Sequence, residues 1–189
     1  MPTVDTEQRT PSSEPSAKSN PIGRLAHVIG QAARFPGDAL GLGSGERAAL
    51  ARMEPDALRP HQVAALSRAL IQADLDPAQW KPDIWKRWAL IAHGMALAGH
   101  SGREPLGVQL SAAGVAESRV TKLLTARGNA FQQLIPPMLR LLASKEVAPN
   151  WNQLGDLILN EGRNEERAEE IRMNIAGRYF TEQAKAAHH

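Results

Sequence analysis

The stretch DIWKRWALIAHGMAL, residues 83–97, decides the fold class. Ile84, Trp88, Ile91, Ala92 and Met95 recur at i, i+4, i+7, i+8 and i+11, a single continuous face of an α-helix and of nothing else. The same chemistry extends in both directions. Hydrophobic residues make up 42% of the 189, yet aromatics only 4%. The apolar side is mostly Ala and Leu, both strong helix formers. Val and Ile never gather in the alternating runs a strand requires, so the expected fold is all-α.

Upstream of this helix, Asn20-Pro21 reads as an N-cap followed by proline at the first helical position. Leu25, Val28, Ile29 and Ala32 form the inner stripe, and Phe35-Pro36-Gly37 a stop. A short helix from Glu46 to Met53 is expected to be capped by Ser44. Pro60 opens another, with Val63, Leu66 and Leu70 inward and a stop near Asp76-Pro77. Downstream, Leu106–Ala113, Glu117–Ala126 and Asn129–Ser144 read as three helices, with Gly114 and Gly128 as cap glycines. Pro136-Pro137 predicts a kink or a late start in the third. Asn150 and Asn164 cap the last two helices.

Gly99 to Gly102 is a loop and a seam, dividing an N-terminal lobe (21–99) from a C-terminal one (103–183). Residues 1–20, rich in Pro and Ser, bury too little to offset their ordering entropy and are expected to be disordered. Residues 184–189 are expected to fray. The expected architecture is therefore two small helical bundles joined by a short loop.

Composition excludes several functions. With no cysteine there is no disulfide, thiolate metal site or cysteine nucleophile. The six histidines show no HExxH spacing, and Gly41–Gly45 lacks both the GKS/T ending of a phosphate loop and a preceding strand. No enzyme activity, metal or cofactor is expected. No stretch approaches a membrane span, so a cytoplasmic protein away from membranes is expected.

Charge says more. The formal net charge is +2, but Lys86 to Lys145 holds eight Lys or Arg against Glu104 and Glu117. A basic middle between acidic ends suits a polyanion on one face and protein neighbours elsewhere. Within it, LGVQLSAAGVAESRVTKLLTAR (106–127) has the grammar of a helix-turn-helix, whose second helix would present Ser118, Arg119 and Lys122 to a groove. Read alone, this supports a DNA-binding transcriptional regulator as much as an ordinary αα-corner. Trp88 and Trp151 lie on inward stripes, whereas Trp80 and Trp85 are free by pattern to stack on unpaired bases.

Taken in order, the features resemble one family. GERAALAR (45–52) is similar to its early glycine-acid-x-A-x-L-R-R motif. LGVQLSAAGVAESRVTKLLTA resembles its middle helix pair, and MLRLLASKEVAPNW (138–151) its L-R-R-L-L…D-W segment. Arg178-Tyr179-Phe180 resembles the ending. This is the small-subunit (CasB) family of the type I-E CRISPR Cascade surveillance complex. The chain departs from it in its 20-residue tail, in Asn150 where an acid is usual, in Leu139 replacing one of paired arginines, and in Pro136-Pro137.

The resemblance implies a non-catalytic subunit of antiviral defence, present beside a second copy of itself. Its implied partners are the backbone, large and guide-end Cascade proteins, the guide RNA, and the target and non-target DNA strands. It would hold the displaced strand and so stabilise the R-loop. Strand-contacting basic positions of the family fall on Arg119, Arg140 and Arg163, and also on Arg52, Lys86, Arg87 and Arg103. Lys122 and Arg127 join them from their place on the basic helix.

Overall fold

A computed structural model describes residues 20–34 and 41–188. Among them are nine helices and no strand. They are α1 (Pro21–Arg34), α2 (Ser44–Ala51), α3 (Pro60–Gln72), α4 (Pro82–Ala98), α5 (Leu106–Ala112), α6 (Glu117–Thr125), α7 (Gly128–Ser144), α8 (Trp151–Asn160) and α9 (Glu165–Ala187). The fold is all-α, as composition and periodicity require. No helix here is long and apolar enough to cross a membrane. The expected stop at Phe35-Pro36-Gly37 and the tail through residue 19 lie outside the described residues.

The polar residues placed at helix starts act as expected. Asn20, Asn150 and Asn164 accept hydrogen bonds from the backbone N–H groups of Ile22, Asn152 and Arg167, at 3.1 Å in each case. These are donors that the first turn cannot satisfy internally. At α2 the cap sits one residue earlier than expected, on Gly43, whose N–H donates to Glu46 Oε2 at 2.9 Å. Val63, expected inward, is exposed, because α3 turns Gln62, Ala65, Leu66, Ala69 and Leu70 to the core instead. Pro136 and Pro137 neither delay nor split α7, which runs unbroken from Gly128. Both stand away from its buried stripe, so the carbonyls of Gln132 and Gln133, deprived of helical donors, lie on the outer side. At the other end α9 continues to Ala187, beyond the expected limit near Gln183.

One buried apolar cluster runs through both halves of the chain. Helix α4 is its axis, touching α1, α2, α7 and α8. Trp151, fully buried on α8, packs against Gly94 of α4, where an added Cβ would come within 2.3 Å of its ring. Its indole N–H donates to Gly99 O at 2.8 Å. Buried Gln109 ties the seam loop to the α7–α8 connection, donating to Ser101 O and Ala148 O and accepting from the Asn150 N–H. The loop at Gly99–Gly102 is therefore bridged by core contacts from both sides of the division at 99–103.

Candidate nucleic-acid interface

Helix α7 organises the cationic surface. At about 100° per residue, its buried stripe of Phe131, Ile135, Met138, Leu139 and Leu142 faces the core. Its outer crest carries Gln133, Pro137, Arg140 and Ser144, all exposed. A trough flanks the crest on each side.

The first trough, about 270 Å³, lies between α6 and α7. Arg119 and Lys122 of α6 form its rim, and Leu134, Pro137, Met138 and Leu141 of α7 its floor. No carboxylate lines it. The second, about 490 Å³, lies between α7 and the segment following α2, and is lined by Arg52, Arg140 and His93 together with Glu54 and Asp56. Asp56 is engaged by Lys86 at 3.5 Å, which leaves the two arginines facing one unpaired acid.

The nine basic residues singled out from the sequence separate by whether their charge is already used. Arg119, Lys122, Arg140, Arg52, Arg103 and Arg163 are exposed and make no ion pair among the described residues. The first four line the two troughs. Arg103, in the α4–α5 loop, and Arg163, in the α8–α9 turn between Glu161 and Glu165, line neither. Arg119 and Arg140 thus line separate troughs on the two sides of the α7 crest, and Arg163 lines neither.

The remaining three are occupied. Lys86 pairs with Asp56, and Arg127 with Glu169, while Arg127 also donates to the carbonyls of Leu124 and Ala126. Arg87 is a correction: it is only 7% exposed, and its guanidinium donates to Asp83 and to the carbonyls of Ile158 and Glu161. It braces α4 against the end of α8 and has no donor face to offer a phosphate.

The tryptophans are equally committed. Trp80 stacks on Trp88 with ring centroids 5.7 Å apart, and Trp85 meets Trp80 edge-on at 5.9 Å. Both Trp80 and Trp85 are half-buried against the core, whereas Trp88 and Trp151 are inside it. A polar cavity of about 410 Å³ between α8 and α9 holds Arg167, but that guanidinium is already bonded to Asp156 and Glu170. It offers no free charge comparable to the troughs beside α7.

His93, at the base of the second trough, was not picked out from the sequence. It lies on α4 next to the core stripe, and only tertiary packing brings it under Arg140. Its Nδ1 is 3.1 Å from Leu50 O. Burial holds its pKa below the ordinary 6.5, and the Arg140 charge pushes the same way against the hydrogen bond to Leu50. His100, whose Nδ1 accepts from the Trp151 N–H at 3.2 Å, is lowered by burial too. With native pKa values below the unfolded one, the native state binds fewer protons, so their contribution is whole above pH 6.5 and is lost progressively below it, as pH falls through the lower native values. Thermal melts are expected to show a lower midpoint at pH 5.5 than at 7.5, and His93→Gln should flatten that dependence. A parent midpoint independent of pH over this range would show that neither histidine resists protonation.

Comparison with known proteins identifies the family. The sequence model of the family described as CRISPR-associated protein Cse2 matches residues 46–180. That span contains both troughs and all of α2 to α8 apart from the first residues of α2. No curated protein and no solved structure matches the chain.

Proposed function

Because the chain belongs to the Cse2 (CasB) family, and so is a small subunit of the type I-E CRISPR Cascade, we propose that α7 and its flanking cations hold the displaced DNA strand. The observation that carries this reading is the pairing pattern. Arg119, Lys122, Arg52 and Arg140 line the troughs on the two sides of one exposed crest, and none of them makes an ion pair among the described residues.

The physical chemistry suits the task. Opening a duplex to form an RNA–DNA hybrid is a near-balanced exchange, so modest protein contacts tip it. Phosphate contacts supply that bias without reading sequence. Guanidinium stays charged at any cellular pH and can hold a phosphate through two hydrogen bonds. The subunit acts by binding, with a separate protein performing cleavage. Arg103 and Arg163, exposed and unpaired but outside the troughs, are left for contacts with neighbouring protein, guide RNA or a second copy of the subunit.

Single contacts of this kind are small and graded. Arg119→Ala combined with Arg140→Ala is expected to shorten R-loop retention by the assembled complex, most visibly as salt is raised. Retention equal to the parent's at every salt concentration would remove these residues from the grip. The regulator reading draws on the exposure of Ser118, Arg119 and Lys122 on α6, and predicts discrimination among short duplexes by the chain alone.

A further inference from the structure

Resting on that reading, we propose that the trough between α6 and α7 is a base subsite, receiving one unstacked base of the strand whose phosphates lie on Arg119 and Lys122. Phosphate contacts alone require nothing apolar beneath them. Here the two unpaired cations stand over a floor made entirely of Leu134, Pro137, Met138 and Leu141. Leu134 and Leu141 are half-buried and Pro137 is exposed, so these three are open to solvent, while Met138, 7% exposed, joins the floor to the core. Its volume of about 270 Å³ falls just under the roughly 300–1,000 Å³ of sites for drug-sized ligands, which leaves room for a single heterocycle.

The pairing of an apolar floor with a cationic rim selects the ligand class. In a duplex the base faces are hidden in the stack, and only edges and phosphates meet a protein. In a single strand each base offers an apolar face beside its own phosphate, the combination this trough matches. Met138 contributes a polarizable thioether, which makes favourable contacts with aromatic rings. No carboxylate lines the trough to repel the backbone. The second trough differs on this point, since Glu54 and Asp56 share it with Arg52 and Arg140, and it is not assigned a base. No hydrogen-bonding group fixes the identity of the base, so the contact tolerates any sequence, as holding an arbitrary displaced strand demands.

The test measures anisotropy of two labelled ligands with the full chain: an oligothymidylate, and a strand of equal length and charge built from abasic residues. The parent is expected to bind the base-bearing strand about fivefold to tenfold more tightly, the lower part of what stacked bases contribute. Leu134→Gln with Leu141→Gln should erase that preference while leaving the abasic affinity unchanged. A misfolded variant would instead lose both ligands, and Leu141→Gln alone then repeats the comparison. Equal parental affinity for the two strands overturns the base subsite and leaves the phosphate grip standing. Binding of neither strand overturns both. A leucine-bearing acidic peptide that displaces the abasic strand, in a parent without base preference, would make the trough a protein-docking site and also overturn the proposal.

Discussion

Gly107→Ala is expected to destabilise the fold by about 3 kcal/mol or more and to lift α5 from α9. On helix propensity alone the change would be favourable, by roughly 1 kcal/mol. The geometry reverses that sign. A Cβ at residue 107 would stand 2.2 Å from Ile175 O and 2.7 Å from Tyr179 N. Both are backbone atoms within α9, and neither can swing aside as the end of a side chain can. Here α5 and α9 meet through backbone, and the Tyr179 hydroxyl secures the contact by donating to Val115 O at 2.6 Å. Displacing α5 therefore also moves α6, with Arg119 and Lys122. Gly177→Ala supplies the control, since a Cβ there meets nothing within 4 Å. Urea titration should show a large fall in midpoint for the first variant and none for the second. A Gly107→Ala protein as stable as the parent would mean that the two helices do not touch through backbone.

The second large effect lies at a buried charge. Arg172 and Glu161 are each 2% exposed, with Arg172 Nη2 3.8 Å from Glu161 Oε1. The same Oε1 accepts the Gly128 N–H at 2.7 Å, so the carboxylate also holds the positive end of α7. Gly128 adopts φ +57°, which an L side chain rarely adopts. The Arg172 guanidinium lies over the Phe131 ring, 5.7 Å from its centroid. Arg172→Met removes the counter-charge and leaves Glu161 desolvated, at an expected cost of about 3–5 kcal/mol. The double change Glu161→Gln with Arg172→Met should recover most of that loss. Arg172 Nε and Nη2 and Glu161 Oε2 find no hydrogen-bond partner, so the pair is imperfectly satisfied to begin with. Chemical denaturation of the parent, both single variants and the double gives the coupling directly. Purely additive single effects would show that the two charges do not interact.

The sequence was informative where local chemistry dominates and silent where distant segments meet. Asparagines 20, 150 and 164 could be read as caps because a cap is a contact within a single turn. The α4 stripe was legible for the same reason. Val63 lies at the edge of the α3 stripe, whose Leu66 and Leu70 do turn inward, and periodicity alone does not decide where the buried edge falls. The two buried arginines did leave a signal. Arg87 stands three residues after Ile84 and four before Ile91, and Arg172 stands four after Ala168 and three before Ile175. Both therefore sit on core faces, where a long charged side chain needs an internal partner. The grouping of Arg119 and Lys122 in a trough on one side of the α7 crest, and of Arg52 with Arg140 of α7 in a trough on the other, could not be read in this way. It joins residues up to 88 positions apart, and only packing decides that they share a surface.

The central claim, that unpaired cations on the two sides of α7 hold the phosphates of one strand, is tested most directly by the salt dependence of single-strand binding. The measurement compares the parent chain with Arg119→Ala plus Arg140→Ala, and with Lys86→Ala plus Arg127→Ala, whose charges are already spent on Asp56 and Glu169. Each lost phosphate contact lowers the slope of log affinity against log salt by about 0.7 for a single strand. The account predicts a slope reduced by about 1.4 for the first double variant, and one close to the parent's for the second. An unchanged slope for Arg119→Ala plus Arg140→Ala, or an equal fall in both variants, would contradict it.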